Sequence, residues 1–194
     1  SSDLDSGISA YRIGRDHIDV AFREGGIYRY SVLSAGRTNL DEMARLNADA
    51  GSDFAGLIDT DNTGLIGYSM GGYGAIVSAG GGLSESAMRL GPRDTLAIHR
   101  EGSETHDALP DPRIKTAVAI GPWGMNVGLW DAEGLAGIEI PMLFIAGSND
   151  RTSGYDNGIR KIWEGATGVD RALLTFEGGG HNIVGPIPAP VESY

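Results

Sequence analysis

Three short stretches hold residue types that can do chemistry together. "LIGYSMGGYG" (65–74) sets Ser69 in Gly67-Tyr68-Ser69-Met70-Gly71, a G-x-S-x-G pattern after one apolar run and before another. On a strand-to-helix turn this spacing exposes the hydroxyl, and the turn is so sharp that residues two before and two after the serine must be small. The Met70 N–H, at the start of the following helix, is placed to hold a developing oxyanion. A serine hydroxyl is a poor nucleophile until a base takes its proton, and the base needs an orienting carboxylate. "PMLFIAGSND" (141–150) ends in Asp150 just past an apolar run, and "RALLTFEGGGH" (171–181) ends in His181. Alone, Asp150 reads as a turn or cap residue and His181 as a loop histidine. Together they put Ser, acid and His, in that order, after three strands, where open α/β sheets carry their functional groups.

Other residues compete less well. His17 lies in a hairpin and reads as solvated, while His99 and His106 fall in a polar stretch, with His106-Asp107 reading as a surface pair. Asp156 is the fallback acid. Asp59 and Asp61 in "DTDNTG" imitate the start of a calcium loop, but position twelve is Met70 and not a bidentate Glu, so the stretch reads as a turn. "GGYGAI" lacks the third glycine of a dinucleotide loop and the Lys-Ser/Thr of a P-loop. Trp123 and Trp130 flank "GMNVGL" beside a strand end, either as core or as walls of a substrate pocket.

These groups need elements to hold them. "HIDVAFR" (17–23) and "IYRYSVLS" (27–34) alternate around "EGG" as a β-hairpin does. "TNLDEMARLNADAG" (38–51) reads as a helix capped by Thr38 or Asn39, with Leu40, Met43 and Leu46 as its apolar stripe. "TGLIGYS" reads as a short buried strand and "MGGYGAIVSAG" (70–80) as a helix. Residues 84–111 mix charge, Gly and Pro without a period and read as surface loop with helical pieces. "IKTAVAIGPW" (114–123) and "PMLFIAGSND" (141–150) are continuously apolar, as buried parallel strands are. "YDNGIRKIWEGA" (155–166) turns Ile159, Ile162 and Trp163 inward as a helix, and "RALLTF" is a last strand. The alternation is that of an α/β fold with a mostly parallel sheet and helices on both faces.

Composition bounds the function. The chain has 194 residues and a net charge of −11, with only 15 Lys and Arg, which argues against a nucleic-acid partner. No apolar run approaches the roughly 18 residues of a membrane span. With no cysteine, disulfides and thiolate metal sites are excluded, and the compartment stays open. The chain starts at Ser1 without a charged-then-apolar leader, so a targeting segment is expected to have been removed already. The length prior gives a single domain over 1–194.

Residues 38–190 resemble the α/β-hydrolase superfamily, in particular dienelactone-hydrolase and platelet-activating-factor-acetylhydrolase-like esterases. The resemblance rests on "GYSMGG", "PMLFIAGSND" and "GGGHN". Polyester-degrading cutinase-like enzymes share the layout. It implies a serine carboxyl-ester hydrolase with Ser69 as nucleophile, Asp150 as acid, His181 as base and the Met70 N–H as one oxyanion donor, with no metal or organic cofactor. A lactone, thioester or polyester hydrolase, or an impaired hydrolase-fold binding module, is the alternative. The chain departs from the family between the hairpin and the helix, where two central strands and an "HG" oxyanion loop are expected; Ala35-Gly36-Arg37-Thr38 runs straight through, and no "HG" occurs anywhere. It also stops soon after the histidine, where relatives continue with a helix. The expectation is a segment missing between Ala35 and Asn39; the alternative is a rebuilt sheet. In the latter, the strand before Ser69 either pairs with the hairpin or forms an open, apolar edge, and an open edge implies a homodimer or aggregation.

Overall fold

Alternating and continuous apolar runs build two different sheets. The structure, a computed structural model, describes residues 8–13, 17–22, 27–31, 35–51, 55–90 and 96–184, with side chains from Leu40 onward. Its backbone divides into two compact units, Ser1–Ile58 and Asp59–Tyr194.

In the first unit, β1 (Ile8–Ile13), β2 (His17–Phe22) and β3 (Ile27–Ser31) form an antiparallel sheet in the order β1-β2-β3. The hairpin is there, with Ala21 opposite Ile27; its "EGG" turn and the His17 side chain lie outside the described residues. β1 was not expected, because "ISAYRI" breaks alternation at Ala10-Tyr11, and its pairing with β2 shifts register between Ile8 and Ala10. Helix α1 (Ala35–Ala48) begins three positions before Thr38, so Thr38 and Asn39 fall inside its first turns and not at a cap. Ala35 and Arg37 are good helix formers, which favours the earlier start. Leu40 is buried, while Met43 is exposed. The Asn47 side-chain oxygen accepts the Ile58 N–H at 2.9 Å and the Asn47 carbonyl accepts the Gly56 N–H, which fastens the chain's exit to the helix end.

In the second unit, β4 (Thr63–Tyr68), β5 (Ile114–Ile120), β6 (Met142–Gly147) and β7 (Arg171–Phe176) form a parallel sheet in the order β4-β5-β6-β7. The intervening helices are α2 (Met70–Ser78), α3 (Glu104–Asp107), α4 (Ala132–Ala136) and α5 (Arg160–Gly165), the last preceded by a π-helical turn at Tyr155–Ile159. The α/β reading with a parallel sheet therefore stands. Among the described residues β4 stands at the edge of this sheet, with β5 as its neighbour.

Strand parity sorts this sheet's side chains. One face carries Ala117, Ala119, Met142, Phe144 and Ala146, all buried under Ile76, Val77, Leu135, Ile159 and Ile162. Small alanines on β5 let α2 lie close, and Phe144 fills the centre. The other parity carries Ile66, Tyr68, Leu174 and Phe176, which stay exposed, so β4 is not the buried strand its apolar run predicts: it lies at the end of the sheet and only Gly67 is buried.

Residues 84–111 correct the surface-loop expectation. Ser84, Ala87, Met88, His99 and His106 are all buried. The described part of the stretch has no period because it is assembled from one-turn pieces, 3-10 turns at Glu85–Arg89 and Ala97–His99 and then α3, the first and last capped by the Ser84 and Ser103 side chains. A two-residue ladder, Leu83 N–H to the His99 carbonyl and Glu101 N–H to the Leu83 carbonyl, seats it on the exit of α2. His106 is not half of a surface pair: its Nε2–H donates to the Gly80 carbonyl at 3.2 Å. Both His99 ring nitrogens are buried with no hydrogen-bond partner among the described residues, beside Tyr73 at 5.9 Å between ring centroids. Burial, with a smaller push from His106, holds the His99 pKa down to about 4.

A histidine kept neutral by folding stabilises above its unfolded pKa of about 6.5 and loses that contribution as pH falls towards its folded value. Unfolding by urea between pH 7 and 4 should show a loss on the order of 2–3 kcal/mol. His99→Leu should flatten that slope; an unaltered slope would move the acid sensitivity to another group.

Candidate active site

β4 delivers Ser69 in an unusual backbone state. Ser69 has φ 56 and ψ −113 and is the one described non-glycine residue at positive φ. Such a conformation costs about 1–3 kcal/mol and persists only where its surroundings hold it. Here the Ser69 N–H donates to the Ile120 carbonyl at 2.9 Å, and the Ser69 carbonyl accepts from Tyr73 at 3.1 Å and Trp123 at 3.2 Å. The turn also needs an absent side chain. A Cβ on Gly67 would lie 2.0 Å from the Gly71 carbonyl oxygen, whereas a Cβ on Gly71 would meet nothing within 4 Å. The requirement for smallness therefore falls on one side of the serine only, a correction to the symmetric reading of the pattern.

A serine at a helix N-cap usually turns its hydroxyl back onto the first N–H groups. Ser69 makes no such bond. Its Oγ lies 3.0 Å from His181 Nε2, and His181 Nδ1 lies 2.8 Å from Asp150 Oδ2. A carboxylate only accepts, so the imidazole proton sits on Nδ1, and the bare Nε2 accepts from the serine hydroxyl.

Each partner is held in turn. Asp150 follows β6 with its side chain 1% exposed, and its Oδ1 accepts the N–H groups of Thr152 (2.8 Å) and Ser153 (2.9 Å). Two amide donors compensate the buried charge and leave Oδ2 for the histidine. Ser153, fully buried, donates its hydroxyl to the Gly121 carbonyl at 2.8 Å and ties this loop to the end of β5. The histidine loop lies against β6, where a Cβ on Gly147 would come within 2.2 Å of the Gly179 carbonyl oxygen, and the Asn149 N–H donates to that same carbonyl at 2.8 Å. Tyr68, one residue before the serine, holds the loop from above: its hydroxyl donates to the Asn182 side-chain oxygen at 2.6 Å, and its ring lies 5.2 Å from the His181 ring.

The structure thus brings Ser69, Asp150 and His181 together, with Met70 as the first residue of α2 beside them. Trp123 is half-buried with its backbone N–H on the Ser69 carbonyl; Trp130 is 3% exposed and packs against Tyr73 in the core, the rings 5.5 Å apart and tilted by 41°. Asp156 stands apart, its side chain 82% exposed and paired with Arg160. Asp59 closes a turn by accepting from the Asp61 N–H and the Asn62 side chain, and no cluster suited to a metal ion occurs among the described residues. Tyr68, Ser153 and Gly121 were missed by sequence reasoning. Tyr68 had a signal, since its strand parity opposes that of the buried Gly67. A cleft of about 360 Å³ lined by Ser78, Pro110, Ile114, Lys115 and Ile140 sits at the opposite end of β5 from Ser69.

No protein-family model matches the chain, and no curated protein matches it. Among solved structures it is similar to Arabidopsis thaliana SOBER1 and to a point variant of SOBER1. Both comparisons give 13% identity and a TM-score of 0.44, covering 82% of this chain and 69% and 70% of those chains.

The turn geometry makes a paired prediction. Gly67→Ala should destabilise the second unit by about 3 kcal/mol or more, because backbone must move. Gly71→Ala should be neutral or stabilising by up to about 1 kcal/mol, since alanine suits a helix better than glycine. Thermal unfolding of the two variants measures the contrast; equal losses would refute the one-sided packing.

Proposed function

We propose that this chain is an α/β-hydrolase-superfamily serine hydrolase that cleaves carboxylic esters through an acyl-enzyme. The observation that carries the reading is the unbroken relay from Ser69 Oγ through the His181 ring to Asp150, at 3.0 and 2.8 Å, on a serine whose hydroxyl has no other role.

In this mechanism Ser69 Oγ attacks the carbonyl carbon while its proton passes to His181 Nε2. Asp150 stabilises the imidazolium and keeps its orientation. The Met70 N–H, at the positive end of α2, takes the oxyanion. Collapse expels the alcohol, which receives the proton from Nε2. Water then repeats the sequence on the acyl-enzyme with His181 as base. Trp123, whose backbone N–H meets the Ser69 carbonyl, is assigned to the wall of the acyl or alcohol pocket, and Trp130, against Tyr73, to the core. The step uses no metal or organic cofactor, and a small-molecule ester is the substrate class; thioesters and lactones pass through the same intermediate.

One feature favours a slow member of the class. With β4 at the sheet edge, no neighbouring strand on that side brings a second N–H towards Ser69 among the described residues. Lacking one oxyanion donor typically costs about 10² to 10³ in kcat.

A fluorophosphonate probe with peptide mapping should label Ser69 and nothing else, and Ser69→Ala should abolish both labelling and p-nitrophenyl ester turnover. Asp150→Asn should lose on the order of 10⁴ in kcat. Tyr68→Phe should lose up to about tenfold, the worth of one hydrogen bond to the histidine loop. An unlabelled chain that is nonetheless folded would leave a binding module, and full activity of Asp150→Asn would move the acid elsewhere.

A further inference from the structure

The edge of the parallel sheet is built to meet itself. The Thr63 N–H bonds to the Arg113 carbonyl and the Ser69 N–H to the Ile120 carbonyl, so the odd-numbered residues of β4 turn their backbone polar groups towards β5. Gly64, Ile66 and Tyr68 therefore direct their N–H and C=O groups outward, and no strand pairs with them among the described residues. Native proteins protect such an edge with lysine, proline, a bulge or a cover. "TGLIGY" has no charge and no proline, and it carries the most exposed apolar side chain of the sheet, Ile66 at 70%. In a chain of net charge −11, this neutral strip is where two like-charged copies can approach.

We propose that β4 is the homodimer interface, pairing antiparallel with β4 of a second copy about a two-fold axis through Ile66. The register follows from which groups face outward. With Ile66 opposite Ile66, Gly64 falls opposite Tyr68 and Tyr68 opposite Gly64, so every outward N–H and C=O of the strand gains a partner. A two-fold interface requires this self-complementarity, the same patch meeting itself in reverse. The side chains agree. The two Ile66 side chains become a cross-strand pair, and each Tyr68 ring lies across a glycine, where nothing obstructs it. The ends agree in charge as well: Asp59 and Asp61 precede β4, while the positive N-terminal end of α2 follows it, and antiparallel pairing sets the acidic end of one copy beside the helix start of the other. The inference does not depend on the hydrolytic reading.

The chain has no cysteine, so a single introduced thiol reports the register directly. Cα atoms of a hydrogen-bonded antiparallel pair lie about 5.5 Å apart, within disulfide reach. On mild oxidation Ile66→Cys should run as a covalent dimer on a non-reducing gel, while Phe176→Cys, on the same face but at the far strand, should not. By sedimentation equilibrium the unmodified chain should have twice its 20.3 kDa mass. Ile66→Lys, an exposed substitution that sets two like charges opposite each other, should raise the dimer dissociation constant about tenfold or more. A 20.3 kDa particle at every concentration would overturn the proposal. So would a dimer that Ile66→Lys leaves intact and that cross-links through Phe176→Cys, which assigns the contact to the apolar sheet face. Amides of Gly64, Ile66 and Tyr68 protected from exchange in a monomer would overturn it too, assigning the edge to another segment of the same chain.

Discussion

The placement of Ser69 depends on one close approach of backbone to backbone, that of Gly67 to the Gly71 carbonyl. It lets the chain leave β4 and enter α2 without a spacer, and it forces the residue between them to φ 56. That conformation points the Ser69 side chain out of the sheet and away from the helix cap it would otherwise serve. The cost is met locally, because both backbone groups of Ser69 are bonded to neighbours that β5 and α2 hold rigidly. Hydroxyl placement is therefore a property of the main chain and does not rely on side-chain packing.

The other two groups reach the serine by a different route. Parallel strands end at the same side of a sheet, so loops after β5, β6 and β7 are neighbours whatever their separation in sequence. Asp150 is fixed by the first turn of its own loop, whose amides occupy one carboxylate oxygen. His181 is fixed from outside its loop, by the glycine surface of Gly147 below and the Tyr68 ring above. The imidazole is consequently the part of the relay that depends on the most partners. A change in any of them alters its aim without touching Ser69 or Asp150.

The legible parts of the sequence were those with a strong local period or a steric signature. β4 through β7 stood out as apolar runs, α2 as a helix after the G-x-S-x-G turn, and the Ser, Asp, His order followed from where those runs end. The segment 84–111 was illegible because its burial is achieved one turn at a time. His99 and His106 sit among charges in the sequence, and only the ladder to Leu83 brings them inside. β1 was hidden by a register shift, which breaks the alternation that marks a strand. The start of α1 was misplaced because two plausible cap residues, Thr38 and Asn39, outweighed helix formers ahead of them. The glycine asymmetry of the elbow could not be read either, since a pattern treats both of its glycines alike and only the path of α2 distinguishes them.

The relay also has a meaning for how this unit assembles. Ser69 and His181 stand 112 positions apart, and every strand pair of the sheet is parallel, so none forms from a simple hairpin. Contacts of that kind form late, after loop-closure entropy has been overcome. Ser69 and its turn can organise with β4, α2 and β5, whereas the His181 ring that lies 3.0 Å from its hydroxyl follows β7 at the far edge. Under the proposed mechanism, serine reactivity would report the docking of the final strand and would be silent in any form that has the elbow without it.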